Sequence, residues 1–115
     1  MTIAVIQTHA ATDGHSWYGQ DALLNLASLD LNPQLIVIAE AVKHLCHGAD
    51  VQRRQRSLQK RYRLLQLYDC PKPWVIDTDM QRFGLTTDDF IFDIEIVTAV
   101  ELPQRLYQCH QVLRF

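Results

Sequence analysis

Two short runs, Ile3-Ala4-Val5-Ile6 and Leu35-Ile36-Val37-Ile38-Ala39, constrain this chain more than any other feature. Both are continuously apolar and rich in β-branched residues, with no alternation of polar and apolar positions. Such a strand must be covered on both faces, as strands are in a parallel sheet packed between helices. Between the runs lies a polar segment containing Thr12-Asp13-Gly14, then a helical pattern from near Trp17. Leu23, Leu24 and Ala27 share one face of it, and Leu26 widens that face. Asn32-Pro33 is expected to end the helix. Strand, loop, helix and strand make a βαβ unit.

The same alternation continues to the end of the chain. A short helical turn is expected over residues 40–46, broken at His47-Gly48. A longer helix is expected from about residue 53 to 68, with Leu58, Tyr62 and Leu65 on its apolar stripe. Arg53, Arg56, Lys60 and Arg63 would project from its other side. Pro71 and Pro73 bracket its exit, and Trp74-Val75-Ile76 reads as a third strand. One helical turn over 77–81, a loop at Gly84 and a fourth strand within 90–97 follow. A helix over about 98–108 carries Leu102 and Leu106 one turn apart, and Val112-Leu113-Arg114-Phe115 is a closing strand. The expected fold is one α/β domain over residues 1–115, a three-layer α/β/α sandwich with a mostly parallel sheet of about five strands. A hydrophobic fraction of 48% is enough to fill its core.

A formal net charge of −2 gives the whole molecule no bias toward nucleic acid or membrane. The apolar N-terminal run lacks a basic flank and is too short for a signal peptide, and no stretch approaches the ~20 apolar residues of a bilayer span. No membrane partner is therefore expected. Cys46, Cys70 and Cys109 are odd in number, far apart and in no CxxC pair. That argues against a disulfide framework and a thiolate metal knuckle, and for a reducing cytoplasmic setting.

Ligands of an open α/β sheet bind outside the carboxyl ends of the strands, here the loops after Ile6, Ala39, Ile76 and Val97. The first loop, residues 9–16, is the longest and most polar. Thr8, Thr12, Asp13, His15 and Ser16 can line a pocket there, and the helix start behind them favours an anion. Gly14 and Gly19 fit neither a dinucleotide fingerprint nor a P-loop, so no nucleotide cofactor is expected and capping is the simpler role. His44, Cys46 and His47 form the densest set of metal-ligating types. A zinc site wants about four ligands and the rest have no signature, so no metal is expected. The two imidazoles can instead activate Cys46 as a nucleophile, against the simpler reading of chance clustering. Cys70 and Cys109 precede strands, at the amino edge, and read as packing residues. No catalytic residue is assigned, with Cys46 as the alternative; His110, Asp93 and Glu95 assemble into nothing sharper.

Six of the eleven Lys and Arg residues fall within 53–63, where Asp50 is the only acid nearby upstream. Such a stripe can meet RNA phosphates or an acidic partner, or simply be solvated. Tyr62 falls on the apolar side, so no aromatic interleaves the basic residues to support base stacking.

Three segments in register carry a resemblance that covers nearly the whole chain. Gly19-Gln20-Asp21-Ala22-Leu23-Leu24 opens the first helix; Leu64-Leu65-Gln66-Leu67-Tyr68-Asp69 precedes Trp74-Val75 and Gly84-Leu85; Val112-Leu113-Arg114-Phe115 closes the chain. Together they resemble the TusC branch, the DsrF-like part of the DsrE/DsrF/DsrH family. The resemblance implies a subunit of a TusB–TusC–TusD type heterohexamer, a dimer of heterotrimers. Such a complex takes persulfide sulfur from a TusA-like carrier and passes it to a TusE-like one, toward 2-thiolation of the tRNA wobble uridine. A DsrF-like role in sulfur oxidation, or a persulfide carrier using Cys46, are the alternatives. In the sulfur-carrying subunits of the family the active cysteine lies just beyond the third strand. Here that place reads Ile76-Asp77-Thr78-Asp79-Met80. Two carboxylates oppose a thiolate, so this subunit is expected to be non-catalytic and to act by shaping its partners. Trp17, Tyr18 and Phe83 are candidate contacts for TusB-like and TusD-like neighbours, with core burial as the rival role for each.

Overall fold

The computed structural model describes residues 2–115. Strand β1, Ile3–Gln7, is buried along its whole length, as its unbroken apolar run requires. Helix α1, Gly14–Ser28, starts behind Asp13, whose carboxylate accepts the backbone N–H of His15. It stops earlier than the Asn32-Pro33 pair would dictate. Asp30 takes a left-handed conformation at φ 60°, and the N–H groups of Asp30 and Leu31 return to the carbonyls of Ala27 and Leu26. That bond pair is a Schellman end, with Asp30 in the role usually given to glycine. Strand β2, Gln34–Val37, is again wholly buried, and the expected helical turn after it is a 3-10 helix, Ala39–Leu45.

The longer helix expected from about residue 53 does not form there. Gln52–Arg53 and Arg56–Ser57 are instead two short antiparallel strands, β3 and β4. Their two-residue turn has Arg54 at φ 53° and Gln55 at φ 65°, the mirror-image turn geometry that suits hairpins. Asp50 explains the later helix start. One of its carboxylate oxygens accepts a hydrogen bond from the Ser57 hydroxyl at 2.6 Å and the other from the Gln59 N–H at 3.1 Å, while the Ser57 hydroxyl oxygen accepts from Lys60 N–H. These bonds fix the N-terminus of α2, Leu58–Tyr62, and α3, Leu64–Leu67, continues beyond a break at Arg63. Leu58, Tyr62 and Leu65 do share a buried stripe. Arg53 and Arg56 leave the helix for the hairpin.

Strand β5, Trp74–Ile76, leads directly into α4, Asp77–Arg82. Of the apolar stretch that follows, only Glu95–Val97 forms a strand, β6. Phe90 is buried and bridges to Cys46. Helix α5, Leu102–Tyr107, and strand β7, Gln111–Arg114, complete the fold.

The sheet order is β6-β5-β2-β1-β7, and all four pairings are parallel. The chain steps outward from β1 to β6, then returns to lay β7 on the other side of β1. The two faces are covered unequally. Val5, Leu35, Val37 and Val75 pack under Leu23, Ala27, Leu45, Leu58, Tyr62 and Met80. On the opposite face Ala4, Ile6 and Ile36 meet Leu102, Leu106 and Cys109 of the single helix α5 and its end. At roughly 1.5–3 kcal/mol for each large buried side chain, the first face holds most of the stability. The second leaves Val112, on the edge strand β7, more than 40% exposed.

Candidate functional site

The carboxyl edge of the sheet gathers the loop after β1, the 3-10 helix after β2 and the start of α4 after β5. Beneath the first loop runs a buried chain of polar groups. Gln7 Nε2 donates to the carbonyl of Ser16 at 2.9 Å and to the Tyr62 hydroxyl at 3.1 Å. His44 Nε2 lies 2.8 Å from the carbonyl of His9, which only accepts, so Nε2 carries the proton. Nδ1 of the same ring therefore accepts from the Tyr62 hydroxyl, also at 2.8 Å. Burial drives the His44 pKa down to about 4, and only secondarily does the bond to His9 oppose it. The imidazole is thus neutral at physiological pH. Desolvation likewise holds the Tyr62 phenol well above its ordinary range.

This chain gives His44 a structural role in place of the ligand or thiol-activating roles its spacing allowed. His44 is fully buried and turned toward Tyr62, while His47 is exposed. The Cys46 thiol is buried and donates to the Val42 carbonyl at 3.6 Å. Burial, and then the charge of Asp89, raise its pKa above the ordinary thiol value, with Lys43 opposing. Burial also raises Cys70 and Cys109, which line hollows at the amino edge as their sequence positions imply. None of the three thiols stands beyond β5.

What stands there is a pair of anchored carboxylates. Asp77 Oδ1 accepts from Thr78 N–H at 2.8 Å and from Ala99 N–H at 3.0 Å, joining the ends of β5 and β6. Asp79 Oδ2 accepts from Ala39 N–H at 3.0 Å, joining α4 to the end of β2, where Ala39 is left-handed at φ 51°. Both oxygens thereby satisfy backbone donors of neighbouring loops at the mouth of the sheet.

In the first loop, His9, Asp13 and His15 come together, their ligating atoms within 4.8 Å of one another. Asp13 is committed as the cap of α1 and bonded to His15 Nδ1 at 2.8 Å, and these two hydrogen bonds hold its pKa below the usual value. Thr8 turns away, its hydroxyl donating to the Phe115 carbonyl. Ser16 is buried and donates to the carbonyl of Ala10, and Thr12 is exposed. The polar residues of this loop largely hold its own turn, as capping groups do.

The basic residues give the clearest departure from expectation. Helix α1 brings Trp17 and Tyr18 against Arg53, Arg54, Arg56 and Arg61 around a hollow of about 350 Å³. Aromatic side chains thus do accompany the basic cluster, from a segment more than thirty positions away, which is why the local pattern did not reveal them. Trp17 is buried with Arg61 over its ring, and Tyr18 is 67% exposed. Phe83 is half-buried beneath Lys43 and Arg82.

Comparison with known proteins gives a consistent picture. The model of the DsrE/DsrF-like family matches residues 1–115. A Protein TusC homolog of Vibrio vulnificus strain YJ016 is 31% identical over 111 residues, covering 93% of this chain and 90% of that protein. A Protein TusC homolog of Aliivibrio fischeri is 22% identical over 108 residues. The crystal structure of the ychN protein from E. coli superposes with a TM-score of 0.85 over 100% of this chain and 99% of that one, at 21% identity, and so shares the fold.

Proposed function

The chain belongs to the DsrE/DsrF-like family, and from that premise we propose that it is a TusC-type subunit of a sulfur-relay complex with no sulfur-carrying thiol of its own. Its partners on this reading are TusB-like and TusD-like subunits in a cytoplasmic heterohexamer. The complex moves persulfide sulfur from a TusA-like to a TusE-like carrier, toward 2-thiolation of the tRNA wobble uridine.

The observation that carries the reading is the pair Asp77 and Asp79. They occupy the position beyond the third sheet strand where, by family resemblance, the carrier subunits hold their cysteine. A persulfide anion needs positive surroundings or a helix start free to receive it. Here the first turn of α4 already bears two carboxylates, each bound to a backbone N–H. Cys46, the alternative nucleophile, is buried with its thiol pKa raised, which favours the same conclusion. The thinly covered face bearing Val112 supports a chain that completes its surface against a neighbour.

Such a subunit contributes by holding the carrier subunit's geometry. Affinity capture of this chain from its host tests the reading. Near-stoichiometric recovery of TusB-like and TusD-like chains is the expected result. A stable monomer without partners would overturn it.

A further inference from the structure

We infer that the hollow between α1 and the β3–β4 hairpin binds an unpaired nucleotide segment, its phosphates held by Arg53, Arg54 and Arg56 and a base stacked on Tyr18. The first support is charge. Four guanidiniums face this hollow and one carboxylate, Asp21, accompanies them. Asp21 is taken by Arg61. Among the described residues, Arg53, Arg54 and Arg56 have no carboxylate within ion-pair distance. Three unpaired cations converge on one hollow of a protein whose formal net charge is −2, so the local field is opposite in sign to the whole.

The second support is the aromatic wall. Arg61, fixed by Asp21, lies 5.6 Å from the centre of the Trp17 ring, which makes a rigid floor. Tyr18, one residue on, is 67% exposed beside the free arginines. A nucleotide offers a flat π face and a phosphate at once, the two features this wall and rim can meet together. An acidic peptide offers only the charge. The hollow, about 350 Å³, is sized for a small unit of this kind and not for a duplex.

The third support is the hairpin itself. Its turn holds Arg54 and Gln55 at positive φ, where Asn or Gly would sit at lower cost. The Arg53 guanidinium lies against the first turn of α1, within 3.6 Å of where a Gly14 Cβ would stand. The cationic rim is therefore built on a defined turn braced against a helix.

The inference stands apart from the relay role, and either can fail without the other. Its test is fluorescence anisotropy of a labelled, unstructured RNA oligonucleotide with the intact chain, alone and in its native complex. Binding should weaken between about 50 and about 200 mM salt with a log–log slope near −2, as about three neutralised phosphates require. Tyr18→Ala should weaken binding by about tenfold without changing the slope, while Tyr18→Phe retains it. Arg53→Gln with Arg56→Gln should flatten the slope to about −0.7, and lysine at both positions should restore it. Absent or salt-independent binding overturns the inference. So does binding that Tyr18→Ala leaves intact, or equal affinity for a labelled polyglutamate peptide, which would make the hollow a docking surface for acidic protein. Because Tyr18 is exposed on a helix, its variants report on binding even if the hairpin variants unfold.

Discussion

The Tyr62 hydroxyl donates a 2.8 Å hydrogen bond to Nδ1 of His44, and both side chains are fully buried. Through this one bond the helix after the hairpin is tied to the 3-10 helix after β2, and through His44 Nε2 to the first loop at His9. The carboxyl edge of the sheet is therefore held from below by a neutral polar network.

That network makes stability depend on pH. The His44 pKa is about 4 in the folded chain against an ordinary value of 6.5, so between those values the unfolded chain binds more protons. The stabilisation is complete above about pH 6.5 and declines as pH falls toward about 4, by an amount on the order of 3 kcal/mol. Urea unfolding at neutral and mildly acidic pH checks this. His44→Gln should be less stable at neutral pH and should show a clearly smaller loss across the same window.

Gly19 is required by Gln7. A Cβ at position 19 would overlap Gln7 Oε1, and Gln7 cannot swing away without breaking its bonds to Ser16 and Tyr62. Gly19→Ala should cost about 1–3 kcal/mol, despite the gain in helix propensity. In a Gln7→Ser background the same change should cost much less, and a double-mutant cycle from denaturant melts measures the coupling.

Asp79 should matter to the fold. Asp79→Ala would leave the Ala39 N–H without its acceptor at a left-handed residue, for a loss of about 1–2 kcal/mol in thermal or chemical unfolding. Asp79→Asn, which keeps an acceptor oxygen, should recover part of that loss.

Thiol reactivity should follow burial. Cys46, buried and with its pKa raised, should react with iodoacetamide in the native state more slowly than Cys70 or Cys109, which are partly exposed. Mass mapping of a timed alkylation gives the order, and denaturation should abolish it.

The sequence already carried the layered parallel sheet, because runs such as Ile3-Ala4-Val5-Ile6 have no other comfortable setting. It also carried the stripe of Leu58, Tyr62 and Leu65 and the two carboxylates after Ile76. The hairpin was hidden because Arg54 and Gln55 are not residues that announce a mirror-image turn, and because Asp50 sets the helix start from outside the helical pattern. The meeting of Tyr18 with Arg53 and Arg56 depends on how α1 lies against the hairpin. Long-range packing of that kind leaves no local periodicity. The structural role of His44 is not legible locally for a related reason: its partners, Tyr62 and the His9 carbonyl, are distant in sequence, while Cys46 and His47 are near.

The proposed role of this chain is to hold a sulfur relay together without carrying sulfur. The most direct measurement reconstitutes the complex with a chain bearing Cys46→Ala, Cys70→Ser and Cys109→Ser and follows persulfide transfer from the upstream carrier to the downstream one. Sulfur transfer at the wild-type rate through a complex of unchanged composition is the predicted result. Loss of transfer in an intact complex, restored by returning Cys46 alone, would contradict it.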